Sequence, residues 1–254
     1  MARAERIAGW MRDRVATAGA RGLVIGLSGG VDSAVAARLA QLAAPGAVVG
    51  VVMPCHSDPE DERDAMVLAR QFSLPTVRVD LADACDPLIG LLKTALRGLP
   101  SSIHPVNAPD DPPARVPLAN VKPRLRMATL YFIANHLNYL VVGTGNRSEL
   151  SIGYFTKHGD GGVDVLPLAH LAKSQVRALA RELGVPAEII ERTPSAGLWL
   201  GQTDEAEMGF TYAELEQYLN SGPEAVAPSL AVKIERLVRA SEHKRHPPPS
   251  PPAD

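Results

Sequence analysis

The sequence predicts an α/β fold, a doubly wound parallel sheet of about five strands flanked by helices. Three observations carry that expectation. Short apolar runs alternate with stretches of helical spacing, as in a parallel sheet with crossover helices. The 254 residues are 46% hydrophobic, enough for a sizeable core. The first apolar run ends in a glycine turn that leads directly into a helix, Leu27-Ser-Gly-Gly-Val-Asp-Ser33.

Taken in order, Leu23–Leu27 reads as a strand and Ala34–Ala43 as the helix behind the glycine turn. Val48–Met53 is a second strand, Asp61–Phe72 a helix and Thr76–Val79 a third strand. Met127–His136 is helical and Tyr139–Val142 is a fourth strand. Lys173–Leu183 is an amphipathic helix closed by Gly184 and Pro186, followed by helices at Thr211–Leu219 and Ser229–Ala240. Thr193–Met208 lacks periodicity and reads as a loop. Of the 22 prolines, seven fall between Pro100 and Pro123 and five in the last eight residues. Residues 99–118 therefore read as a long loop inserted in one domain spanning 1–246, and residues 247–254 as a disordered tail.

Charge and composition exclude several classes. Lys and Arg number 26 against 28 Asp and Glu, a near balance that argues against a nucleic-acid binder. No apolar run approaches the ~18 residues of a membrane span, and no signal peptide is visible, so a cytoplasmic location is expected. Cys55 and Cys85 are the only cysteines, too few for a disulfide framework or a cysteine zinc site.

Ligands of parallel sheets bind at the carboxyl ends of strands, which directs attention to Ser28–Ser33, Met53–Ser57 and Gly143–Glu149. Gly29 and Gly30 let a ligand approach the backbone, and the helix N-terminus behind them favours anionic oxygens. Asp32 would repel a phosphate unless a cation lies between them, which implies Mg²⁺. The loop lacks the lysine of a GxxxxGK[ST] motif and the spacing of GxGxxG, so neither a kinase-like P-loop nor a simple dinucleotide reader fits. Ser28-Gly-Gly-Val-Asp-Ser33 resembles the pyrophosphatase loop of the N-type ATP pyrophosphatases, which split ATP between its α and β phosphates.

Four further segments narrow the substrate. Glu149 is a second candidate carboxylate for the metal, or a helix-start acid favoured by the dipole. Gly153-Tyr-Phe-Thr-Lys-His-Gly-Asp-Gly-Gly-Val-Asp164 reads as a binding loop. In it Tyr154 and Phe155 can stack on a flat ring, Lys157 can pair with an anion, and Asp160 can orient or deprotonate a nitrogen nucleophile. Arg124 and Arg126, two apart at a helix start, point differently and have either separate partners or an exposed face. Pro194–Glu205 reads as a cover with hinges at Gly197 and Gly201 and an apolar anchor at Trp199. Ser241-Glu-His-Lys-Arg-His246 is a basic knot that, alone, reads as a solvated helix end.

Together these segments resemble the ammonia-dependent NAD⁺ synthetases, from about Val24 to Pro247. The resemblance implies a Rossmann-like fold of the adenine nucleotide α-hydrolase type. It implies ATP contacts at Gly26, Leu27, Ser28, Gly29, Gly30, Val31, Asp32 and Ser33, with Thr144, Lys173 and Ser195 as further contacts. It implies Mg²⁺ held by Asp32 and Glu149, and deamido-NAD⁺ contacts at Arg124, Lys157, Asp164, His243 and Lys244. Asp160 and Lys173 take catalytic roles, Asp160 near the ammonia site. A homodimer with the deamido-NAD⁺ site near its interface is also implied. The chain departs from the family pattern at Pro123, where Ala is expected, and at Ser151, where Thr is usual. Its length suggests ammonia rather than glutamine as nitrogen source. Competing expectations are another amidating or thiolating enzyme of the superfamily, and a non-catalytic nucleotide sensor, although a sensor has no need for both metal carboxylates.

Overall fold

The computed structural model describes residues 1–100, 102–103, 112–199 and 201–251. The chain opens on helix α1 (Ala2–Thr17), which buries Ala4, Ile7, Ala8 and Met11 along one face. Strand β1 (Gly22–Gly26) follows, and its Leu23, Val24 and Ile25 are wholly buried. A strand without a polar side chain can lie only in the middle of a sheet covered on both faces. Next come α2 (Val31–Ala43), β2 (Val48–Val52), α3 (Pro59–Gln71), β3 (Thr76–Arg78) and α4 (Ala82–Leu96). Then follow α5 (Pro112–Ala119), α6 (Val121–Leu137), β4 (Tyr139–Val142) and α7 (Arg147–Ile152). The last third is helical: α8 (Lys173–Glu182), α9 (Ala187–Glu191), α10 (Asp204–Met208), α11 (Tyr212–Ser221) and α12 (Pro228–Ala240).

All four strands are parallel, in the order β3-β2-β1-β4. Leu23 and Ile25 point to a core shared with α1, α2, α3, α8 and α9. Val24 points the other way, into a second core shared with α4 and α6. A third core, separate from the sheet, joins α7, α10, α11 and α12 through Ile152, Met208, Phe210, Tyr212, Leu215 and Ile234. The strand order reverses between β1 and β4, so the loops leaving their carboxyl ends part there and open a crevice.

Against an expected sheet of about five strands, the fifth position beside β4 is a single parallel bridge, Val142 with Val165. Pro167, two residues on, has no N–H to continue a ladder. The expected loop over residues 99–118 is corrected at its end, where α5 forms. Pro112 and Pro113 fall in its first turn, where a missing N–H costs nothing. Residues 101 and 104–111 of that segment lie outside the described residues. Cys85, on a stretch that reads as polar, is buried on α4 in the same core as Cys55. The tail from Pro247 to Pro251 takes neither helix nor strand, and residues 252–254 lie outside the described residues. Among the described residues no helix is long and apolar enough to cross a membrane.

Candidate active site

The loop between β1 and α2 is pinned by its own serines. Ser28 donates from both N and Oγ to Ser33 Oγ, at 3.3 and 3.1 Å, and Ser33 Oγ donates to Gly30 O at 2.9 Å. Gly29 sits at φ +78°, and a Cβ there would collide with the carbonyl oxygen of Asp61 on α3. This glycine is therefore demanded both by its dihedral and by the close approach of another backbone. Gly29→Ala is expected to store about 1–3 kcal/mol of strain in the loop, lowering the melting temperature and raising KM for ATP together. A thermal melt and a nucleotide titration check it.

This loop, with the ends of β1 and β4, α6 and the segment 192–198, encloses a cleft of about 430 Å³. At its floor four charged groups meet, each from the first turn of a different helix: Asp32 on α2, Glu149 on α7, Lys173 on α8 and Asp204 on α10. Acids are favoured at helix N-termini by the dipole, and a lysine is disfavoured there. Lys173 is held by the acids instead: its Nζ lies 2.5 Å from Asp32 Oδ2 and 3.2 Å from Glu149 Oε1. Burial opposes its charge, but Asp32 and Glu149 outweigh burial and hold its pKa above the ordinary lysine value. One ammonium does not balance three carboxylates. Burial, and after Lys173's opposing pull the charge of Asp32, lift Glu149 to about 7. Burial raises Asp204 as well.

Asn146 aligns this group. It caps α7 by accepting from Glu149 N at 3.1 Å, while its own N–H donates to Glu149 Oε2 at 3.2 Å. Its Nδ2 donates to Asp32 Oδ1 at 3.0 Å. Glu149 is thus a helix-start acid whose carboxylate also lines the cleft. Tyr212 Oη lies 2.8 Å from Asp204 Oδ2 and 3.3 Å from Glu149 Oε1. Tyr154 Oη lies 2.8 Å from Glu207 Oε2 and 3.2 Å from Asp204 Oδ1.

Asp160 closes a glycine-rich turn in which Thr156 N donates to its Oδ1 at 2.9 Å. The carboxylate is open to the cleft but ringed by protein on its other sides, and that enclosure raises its pKa. Lys244 donates to the carbonyls of Gly153 and Phe155, both at 2.8 Å, and lies over the Phe155 ring. A second cavity of about 340 Å³ shares Thr144, Glu149, Phe155, Asp160 and Lys244 with the main cleft.

The segment after α9 lies over the cleft. Arg192 bridges Asp61 and Asp64 at 2.7 Å each, Lys122 Nζ donates to Leu198 O at 2.7 Å, and Asp204 N donates to Pro194 O at 3.0 Å. Gly197 and Gly201 both take positive φ, at 61° and 76°. Ser195 lines the cleft. The stretch read as loop through Met208 ends instead in α10, where the Thr203 side chain accepts from Ala206 N.

Gly26, Leu27, Ser28, Gly30, Val31, Asp32, Ser33, Thr144, Glu149, Asp160, Lys173, Ser195 and Lys244 are brought together around the cleft. Gly29 is not among the residues lining the cleft, and the direction a Cβ would take there points to α3. Arg124, Lys157 and His243 gather off the cleft: Arg124 Nη2 donates to Lys157 O at 3.3 Å, and Lys157 Nζ to His243 O at 2.5 Å. Asp164 is not brought to either group. It accepts from Val141 N at 2.7 Å and from the Tyr131 hydroxyl at 3.0 Å, closing the edge of β4. Arg126 is no exposed face residue, donating to Met53 O and Ser57 Oγ at 3.1 and 3.0 Å. Sequence reasoning missed Asn146, Asp204, Tyr212 and Arg192. Only Asn146 carried a readable signal, the spacing Asn-x-x-Glu of a capping box.

Asp32, within the Ser28–Ser33 loop, and Glu149 are hard oxygen donors lining one cleft. Among the described residues no three His, Cys, Asp or Glu side chains group to hold a metal by themselves. Two carboxylates with a surplus of negative charge fit Mg²⁺, which typically completes its shell with phosphate oxygens and water.

The family model described as NAD synthase matches residues 3–248. The chain is 48% identical over 247 residues to the NH(3)-dependent NAD(+) synthetase of Carboxydothermus hydrogenoformans, covering 97% of this chain and 96% of that one. The solved NMN synthetase from Francisella tularensis superposes with a TM-score of 0.87 at 35% identity, over 98% of this chain and 97% of that one. The NAD⁺ synthetase from Burkholderia pseudomallei does so with a TM-score of 0.74 at 33% identity, over 96% and 88%.

Proposed function

The chain belongs to the NAD synthase family, and from that premise we propose that it amidates deamido-NAD⁺ with ammonia, splitting ATP to AMP and pyrophosphate. The observation that carries this reading is the convergence of the phosphate loop, Asp32, Glu149 and Lys173 on one cleft whose far wall presents Asp160. A nicotinate carboxylate oxygen attacks the α-phosphorus of ATP, and the bond from that phosphorus to the bridging oxygen of pyrophosphate breaks. The amides and hydroxyls of Ser28–Ser33 and the ammonium of Lys173 stabilise the departing pyrophosphate. Ammonia, after ammonium has given a proton to Asp160, attacks the acyl carbon and expels AMP. The second cavity, which meets the cleft at Asp160, supports delivery of ammonia from that side. Asp32 and Glu149 would hold Mg²⁺, which when bound neutralises phosphate charge. The segment 194–205 excludes water that would otherwise hydrolyse the adenylate.

Release of AMP and NAD⁺ is measured with ATP, Mg²⁺, deamido-NAD⁺ and ammonium. Release of ADP, or equal turnover with glutamine, contradicts the reading, and binding without AMP release indicates a sensor. The similarity to an NMN synthetase favours a second substrate, nicotinate mononucleotide, which the same assay compares by kcat/KM. The Arg124–Lys157–His243 patch supports the dinucleotide, whose second nucleotide reaches beyond the cleft. Arg124→Ala is accordingly expected to raise KM for deamido-NAD⁺ about tenfold and leave KM for ATP unchanged. An unchanged KM for the dinucleotide points to the mononucleotide.

The homodimer is supported by an unusual face. On α4 only Cys85 is buried, while Leu91, Leu92 and Leu96 are exposed, as is Phe132 on the neighbouring α6. An apolar patch of this kind is what an interface covers.

A further inference from the structure

Lys173 stands between the same two carboxylates that the reading above gives to Mg²⁺. Its ammonium contacts Asp32 and Glu149 at once, so it fills the position from which a cation would bridge them. The backbone around it is fixed. Lys173 N donates to Ser148 Oγ at 3.2 Å, and Ala172 N donates to the Gln175 side chain at 3.0 Å. Only the side chain is left to move. The Tyr212 ring flanks the ammonium at 5.0 Å, a face that keeps a displaced cation favourable. The third carboxylate facing it, Asp204, is engaged by the hydroxyls of Tyr212 and Tyr154 and stays with the protein. Two cations cannot share these oxygens without strong mutual repulsion in a buried setting.

We propose that Lys173 is the resident counter-ion of the Asp32–Glu149 pair and closes it to free divalent cations until polyphosphate enters the cleft. Polyphosphate draws the ammonium toward the Ser28–Ser33 loop, and the carboxylates are then yielded to the cation that accompanies the nucleotide. Lys173 therefore has a positioning role before chemistry, and it sets the order of binding. The inference rests on Asp32 and Glu149 being the metal pair, and its test separates the two.

Mn²⁺ alone is the probe, followed by loss of the free-ion paramagnetic resonance signal, with no turnover involved. Lys173→Met is expected to bind Mn²⁺ at least about tenfold more tightly than the wild type, and Asp32→Asn added to it is expected to cancel the gain. In the wild type, α,β-methylene-ATP is expected to give the resonance spectrum of a protein-bound Mn²⁺–nucleotide complex, distinct from that of Mn²⁺ with the analogue alone, and Asp32→Asn is expected to remove the difference. Equal binding by the wild type and Lys173→Met overturns the proposal. So does tight binding of Mn²⁺ alone by the wild type that Asp32→Asn abolishes. Spectra with protein and analogue that match those of Mn²⁺ with the analogue alone, in every form, overturn the metal pair itself. Because Lys173→Met leaves three carboxylates facing one another, its melting temperature is expected to rise with Mn²⁺ more than the wild type's. Should it not fold, Lys173→Met with Asp204→Asn, one buried charge fewer, is read in the same way alongside the wild-type arm.

Discussion

Replacing Asp32 with alanine is expected to abolish ATP–pyrophosphate exchange, by about 10³-fold or more, while the protein stays folded. Asp32 is the shorter partner of Lys173 and receives the amide of Asn146, so its removal leaves a buried lysine with Glu149 as its one close carboxylate. Metal binding and orientation of Lys173 both suffer. A loss of about 4 kcal/mol in transition-state stabilisation, each 1.4 kcal/mol being tenfold, gives the expected magnitude. Stability is expected to change less, because three carboxylates face the one ammonium, and Lys173 keeps its contact with Glu149 and the nearby charge of Asp204 when Asp32 is removed. Isotope exchange between pyrophosphate and ATP, with a thermal melt alongside, checks the result. Exchange within a few-fold of the wild type would show that adenylation does not depend on this carboxylate.

The second large effect is expected in the other half reaction. Asp160→Asn keeps the oxygen that accepts from Thr156 N, so the turn is preserved and only proton acceptance is lost. Amide formation is expected to fall about 10²-fold or more, the usual contribution of a positioned base, with ATP–pyrophosphate exchange nearly intact. The adenylate then partitions to water, and AMP is released in excess of NAD⁺. A pH signature accompanies this. Enclosure raises the Asp160 pKa, so the carboxylate becomes protonated at a higher pH than an ordinary Asp on the way down. Amide formation in the wild type therefore declines on the acid side as pH falls through that raised pKa. The same limb is expected to be missing from Asp160→Asn. Comparable losses in both half reactions would remove Asp160 from the proton transfer.

Much of this was legible in the residues. The apolar runs of β1, β2 and β4 and the helical spacing of α2, α3 and α8 stand out because each is forced by burial, and burial imposes a period. Helix α4 does not announce itself: Pro87 interrupts it, and with Cys85 its one buried side chain it has almost no inward face to repeat. Helix α5 hides among prolines that its first turn tolerates. In the cleft, Asp32 and Glu149 are visible because each follows a strand and opens a helix, a place where chemistry concentrates in α/β sheets. Asp204 and Tyr212 are not visible in that way. They lie on the third core, and nothing local in Thr203–Tyr212 tells that α7 and α11 will pack together and bring a tyrosine hydroxyl to Glu149. Asp164 shows the reverse limit, since its residue type and loop suggest ligand binding while its carboxylate is committed to the edge of β4.

The third core has one more consequence. It supplies Asp204 and Tyr212, whereas the sheet cores supply Asp32 and Lys173, so the charged cluster is a seam between two unequal bodies of packed side chains. The smaller body buries fewer residues than the sheet cores, and it is expected to open at a lower free-energy cost, as small cooperative units do. Its opening would part the seam and silence the enzyme while nearly all of its secondary structure persists. The working lifetime of this chain under heat or denaturant is thus expected to follow the cohesion of α10, α11 and α12, and adding grip there is expected to prolong activity more than reinforcing the sheet.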